Sequence, residues 1–102
     1  MHSVVESKRT QLAAVCQPFG VRRLEVFGSA ARDDFDEERS DIDFLVEFDG
    51  NPKLGTLKTY FGLKDALEAL FGRPVDLVSR GAVKNPYVAA SIDRDRTLVY
   101  AS

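Results

Sequence analysis

Hydrophobic positions in this chain fall either in short, nearly unbroken runs or at helical spacing, and the two kinds alternate from one end to the other. VRRLEVF, from Val21 to Phe27, and IDFLVEF, from Ile42 to Phe48, are rich in β-branched and aromatic residues and read as strands. PVDLV, from Pro74 to Val78, reads as a third. Leu57, Tyr60, Phe61, Leu63, Leu67, Leu70 and Phe71 recur at helical spacing, which predicts a helix from Thr56 to Phe71 with Gly72 as its stop. A weaker helical pattern covers Val4 to Gln17, where Ser3 and Glu6 have the spacing of a capping box and Pro18 and Gly20 supply the end. A helical turn is expected at Ala30 to Asp34, a last helix from Asn85 or Pro86 to about Ile92, and a final short strand at Thr97 to Tyr100.

The resulting order is α-β-α-β-α-β-α-β. Between Phe27 and Ile42 only about a dozen residues are available, too few for the full crossover helix that a parallel pair requires. The sheet is therefore expected to be mixed, flanked by helices, in an α/β (α+β) fold. The polar stretch Asp33 to Arg39 reads as an exposed loop, and Asp49-Gly50-Asn51-Pro52 as a turn. No repeat or linker interrupts the pattern, so one domain is expected over residues 1–102.

Composition narrows the classes. With 44% hydrophobic and 29% charged residues the chain is globular, and no apolar stretch reaches the roughly 20 residues needed to cross a bilayer. The formal net charge of −2 lacks the basic surplus that drives autonomous binding to DNA or RNA. Arg22, Arg23, Arg94 and Arg96 read as solvated surface. MHSVVESKRTQLAAV carries no apolar signal core, and the single cysteine, Cys16, cannot form an internal disulfide. A cytoplasmic location is the expectation. Cys16 reads as packing rather than as a nucleophile, and Tyr60, Phe61, Leu67 and Phe71 as the stripe that packs the sheet.

Against this background the acids at the mouth of the second strand stand out. Strand alternation puts Asp41 and Asp43 on one side, where their mutual repulsion calls for a cation. Mg²⁺ meets that need, taking oxygen ligands from one or two carboxylates and completing its shell with water and phosphate. Asp76 is the only polar residue inside PVDLV and can reach the same edge. Three such carboxylates can hold two divalent ions for an in-line phosphoryl displacement. VFGSAARDD offers a phosphate cradle: Gly28 admits close backbone approach, Ser29 brings a hydroxyl, the helix start turns N–H groups outward, and Arg32 follows one turn on.

These residues, Gly28-Ser29-Ala-Ala-Arg32, Ser40-Asp41-Ile-Asp43 and the separate Pro-Val-Asp76, resemble the minimal nucleotidyltransferases of the DNA polymerase beta superfamily. The resemblance extends from the first helix to about Val78. It implies the polymerase beta-like palm fold, Asp41, Asp43 and Asp76 as catalytic metal carboxylates for two Mg²⁺ ions, and Gly28, Ser29, Arg32 and Ser40 as nucleotide contacts. Asp33 stands where many relatives carry glycine. Members of this size resemble the antitoxin of a two-protein toxin–antitoxin system whose partner is a HEPN-domain ribonuclease. The implied activity is transfer of AMP from ATP to a tyrosine of that toxin, in a homo-oligomer or a complex with it. Two other readings compete: an antitoxin that neutralises its toxin by binding alone, and nucleotidyl transfer to a small molecule.

Overall fold

The computed structural model describes residues 3–32, 41–48, 56–80 and 84–101; for Ser3, Ser29, Arg32 and Thr56 it describes the backbone only. The chain starts with α1 (Ser3–Glu6) and α2 (Arg9–Cys16), continues through a 3-10 turn at Gln17–Phe19, and enters β1 (Val21–Phe27). Then come α3 (Ser29–Arg32), β2 (Ile42–Phe48), α4 (Thr56–Phe71), β3 (Val75–Ser79), α5 (Pro86–Asp95) and β4 (Thr97–Ala101). The four strands form one sheet in the order β3-β2-β1-β4. β1 runs antiparallel to both β2 and β4, whereas β2 and β3 are parallel, with α4 as their crossover. The mixed sheet expected from the short β1–β2 link is the one observed.

One face of the sheet carries Leu24, Val26, Ile42, Phe44, Val46, Val75, Leu77 and Val99, all buried. Leu12 and Cys16 of α2 and Leu63, Leu67 and Phe71 of α4 close over it to form the core, with the Phe44 and Phe71 rings 5.8 Å apart. Leu45 points the other way, toward Ala89 and Ile92 of α5. Asn85 caps α5, its side chain accepting the Tyr87 N–H at 2.9 Å, and Pro86 occupies the first turn where its missing N–H costs nothing.

Several sequence expectations change. Val4 to Gln17 is two helices: Lys8 leaves helical geometry at φ −110° and ψ 12°, and Cys16 is followed by the 3-10 turn that Pro18 accepts at its start. Ser3 is the first residue of α1 instead of preceding it, and the Glu6 carboxylate takes Arg9 Nη1 at 3.4 Å; the Ser3 side chain, and with it the expected capping box, lies outside what the structure describes. α5 runs on to Asp95, because Arg96 N–H still donates to the Ile92 carbonyl at 2.9 Å. The expected helical turn at Ala30–Asp34 begins one residue earlier, at Ser29, and Asp33 and Asp34 lie outside the described residues. So do the expected loop at Asp33–Arg39 and the turn at Asp49–Pro52.

Candidate active site

β1 delivers the first component. Its last residue, Phe27, pairs with Asp43 across the antiparallel ladder, and the chain leaves the sheet at Gly28 with φ +72°. The neighbouring acid explains the glycine as much as the turn does. A Cβ placed on Gly28 would collide with Asp43 Oδ2 and lie 3.3 Å from its Cγ. The missing side chain therefore lets the Asp43 carboxylate rest against the backbone of the turn. Ala31 N–H donates to the Gly28 carbonyl at 3.1 Å, and buried Ala30 ties the start of α3 to the core.

β3 delivers the second. Asp76 is the register partner of Asp43, and in-register residues of parallel strands project to the same side, about 4.8 Å apart along the hydrogen-bonding direction. The pairs on either side, Ile42 with Val75 and Phe44 with Leu77, are buried on the opposite face and fix the register. α4 fastens the start of β3: Val75 N–H donates to Glu68 Oε2 at 3.0 Å, and the Tyr60 hydroxyl donates to the Leu77 carbonyl. Ile42 N–H donates to the Pro74 carbonyl at 3.3 Å. Asp76 is exposed, Asp43 half-buried, and exposed Asp41 stands one residue ahead of β2 on the side that alternation assigns to Asp43.

The sheet thus brings Gly28, Asp43 and Asp76 together in a row across three strands, with Asp41 at its edge. Ser40 lies outside the described residues, and Ser29 and Arg32 are placed by backbone, as the first and last residues of α3. Among the described residues no three carboxylate, thiol or imidazole groups are gathered closely enough to hold a metal ion. The donors that the register brings side by side are the Asp43–Asp76 pair, with Asp41 one residue ahead of β2. All-oxygen donors of that kind fit Mg²⁺, which takes one or two protein carboxylates and draws its other ligands from phosphate and water.

Glu25 is a component that the hydrophobic pattern does not reveal. It lies two residues before Phe27 on the same side of β1 and is 4% exposed, yet its carboxylate meets three guanidinium groups. Arg23 Nε lies 3.3 Å from Oε1, Arg80 Nη1 3.4 Å, and Arg96 Nη1 3.2 Å; Arg96 Nε also reaches Asp93 at 3.1 Å. Arg23 and Arg96 are therefore not merely solvated surface: they offset the desolvation of a buried carboxylate. The available signal is a glutamate between Leu24 and Val26 with arginine two residues before it. Phe61 is likewise corrected. It is 54% exposed, stacked edge-on against Tyr60, whereas Leu67 and Phe71 are buried as expected. Cys16 is buried in the core, where desolvation pushes its thiol up from 9.0 to about 12, as a packing role requires.

The model of the nucleotidyltransferase domain matches residues 8–99, most of the chain and all of this row. The chain belongs to the nucleotidyltransferase domain family. It is 46% identical over 84 residues to a Methanocaldococcus jannaschii protein, provisionally named a protein adenylyltransferase, covering 82% of this chain and 80% of the relative. A solved structure described provisionally as a minimal nucleotidyltransferase superposes with a TM-score of 0.77 at 34% identity, covering 95% of each chain. The Shewanella oneidensis complex of a tri-AMPylated HEPN toxin with its MNT antitoxin shares the fold at a TM-score of 0.63 and 19% identity, covering 100% of this chain and 74% of that one. The nucleotidyltransferase is thus an enzyme with a mixed four-stranded sheet and flanking helices, the fold that the resemblance implied. Among the described residues no helix is long and apolar enough to cross a membrane.

Proposed function

We propose that this nucleotidyltransferase moves AMP from ATP to a tyrosine hydroxyl of a HEPN-domain toxin and thereby acts as its antitoxin. The observation that carries the reading is the in-register Asp43–Asp76 pair with the Asp43 carboxylate against the Gly28 turn. A carboxylate pair beside a glycine turn gives a nucleoside triphosphate two things at once, a place for its cations and close backbone approach for its phosphates. Support also comes from the relative named as a protein adenylyltransferase and from the AMPylated toxin in the complex that shares the fold.

In the reaction the phenol gives its proton to water, its oxygen forms a bond to the α-phosphorus, the bond from that phosphorus to the bridging oxygen breaks, and pyrophosphate leaves with the electron pair. Asp41, Asp43 and Asp76 would hold the Mg²⁺ ions, which would lower the charge of the triphosphate and favour the ionised phenol. Gly28 and the backbone of Ser29 approach the phosphates, with Arg32 and Ser40 as further contacts. The rigid register of β2 and β3 positions the acids before substrate arrives, so that ordering cost falls on folding instead of on the reaction.

The test is incubation with α-labelled ATP, Mg²⁺ and a HEPN partner, followed by mass spectrometry of the partner. Addition of AMP to tyrosine, lost when that tyrosine is replaced by phenylalanine, is the expected result. Neutralisation of the ribonuclease without ATP, and with no mass added, would instead establish inhibition by contact.

A further inference from the structure

Beneath α5 is a cleft of about 160 Å³ lined by Leu45, Arg80, Ala89, Ile92 and Asp93. Leu45 is two residues past Asp43 on the same side of β2, so the cleft floor begins about 6.6 Å along the strand from the acid row. We propose that this cleft receives the nucleobase of the donor nucleotide while its phosphates lie at Gly28, Asp43 and Asp76. The inference rests on the donor reading proposed above and adds the site that holds the base.

Size is the first argument. Clefts that enclose drug-sized ligands run from about 300 Å³ upward, whereas a cavity of roughly 150 Å³ accepts a benzene ring. This cleft therefore suits one ring system and excludes an entire nucleotide. The distance to Asp43 is the second, because a ribose must separate the base from the α-phosphate. Lining chemistry is the third. Leu45, Ala89 and Ile92 give the cleft an apolar part against which a ring can rest, and two groups of opposite kind supply polar lining: the planar guanidinium of Arg80, which donates and stacks, and the carboxylate of Asp93, which accepts. A heteroaromatic base carries both acceptors and donors at its edge. A bare phosphate would gain from Arg80 but would meet Asp93 as a like charge.

The buried ion cluster holds the rim in place. Arg80 Nη1 lies 3.4 Å from Glu25 Oε1, and Asp93 accepts from Arg96 Nε at 3.1 Å while Arg96 also grips Glu25. Glu25 thus ties both polar walls of the cleft to the centre of β1, which gives a buried glutamate with three arginines a part in nucleotide binding without contacting the nucleotide.

The test compares ATP with inorganic tripolyphosphate, each with Mg²⁺, on methyl-labelled wild-type protein. ATP is expected to shift the methyl resonances of Leu45, Ala89 and Ile92 by ring current, and tripolyphosphate to leave them in place. Ala89→Phe, which fills that apolar part, is expected to weaken ATP binding at least tenfold while tripolyphosphate binding stays within twofold. ATP that binds without moving those methyls, or with equal affinity to Ala89→Phe, overturns the base site and leaves the proposed activity standing. If wild type binds neither ligand, the donor reading fails and the base site with it. Should Ala89→Phe not fold, the wild-type spectra alone decide.

Discussion

Asp43 and Asp76 are register partners on parallel strands, so two acids project side by side from a sheet whose other face is closed core. Placing like charges there works against folding, a cost that the cations proposed for this pair would offset. Asp76→Asn removes one charge from an exposed position. Its urea midpoint is expected to stay level or rise, by no more than about 1 kcal/mol, the scale of two unit charges 4 Å apart in water. The gain should shrink in high salt. A clear loss of stability at low salt would mean that Asp76 serves the fold.

Gly28 offers a comparison within the molecule, since Gly20 has nearly the same backbone, φ +67° against +72°, with nothing within 4 Å of where a Cβ would stand. Gly20→Ala should show the backbone strain alone, about 1–2 kcal/mol in urea unfolding. Gly28→Ala adds the collision with Asp43 and should displace that carboxylate, so its loss of ATP affinity should exceed tenfold while Gly20→Ala keeps wild-type affinity. Equal affinities in the two variants would separate Gly28 from the phosphate site.

Much of this is legible in sequence because local pattern and tertiary packing agree. IDFLVEF and the α4 stripe predict β2 and α4 with their observed bounds, since Ile42, Phe44, Leu63 and Leu67 point into one core and the lone Gly62 does not interrupt the helical spacing. The acid pair follows from alternation, but its partner does not: that Asp76 stands opposite Asp43 depends on the register set by Glu68, Pro74 and Tyr60, contacts with no local signature. The burial of Glu25 has only that local signal, for a related reason. Its burial depends on Arg80 and Arg96, 55 and 71 residues away in the chain, and on α5 folding back over the sheet. Val4–Gln17 misleads because its apolar pattern is weak and Lys8 turns the chain where periodicity alone would continue it.

Glu68 is a positioning residue, acting on Asp76 through the start of β3. Glu68→Ala removes the acceptor of Val75 N–H and should cost about 1–2 kcal/mol, a value typical of a part-buried hydrogen bond. Glu68→Gln keeps an acceptor oxygen and should recover most of the loss. Transfer by the Ala variant should fall through kcat, with KM for ATP within twofold, because the Gly28 turn is untouched. Failure of Gln to restore either quantity would remove the register argument.

Cys16 gives a pH dependence with a definite sign. The folded thiol is held up near 12 against 9.0, so the folded state disfavours the thiolate and its contribution is complete below pH 9. It is then lost as pH rises toward 12, at no more than about 1.4 kcal/mol per pH unit. Wild type should lose more stability than Cys16→Ala between pH 9 and 11, in parallel urea titrations at both values. Parallel loss in the two proteins would show that the thiol does not couple to folding.

Nucleotidyl transfer by the proposed acid row is tested by label transfer from α-labelled ATP, with Mg²⁺, to a HEPN partner by wild type and Asp43→Ala side by side. Folding of the variant is established first by circular dichroism and its urea midpoint. Wild type is expected to label tyrosine, and folded Asp43→Ala to label it at least a hundredfold more slowly, the scale lost when one preorganised electrostatic group leaves a site. Labelling by Asp43→Ala at the wild-type rate would contradict transfer by that row.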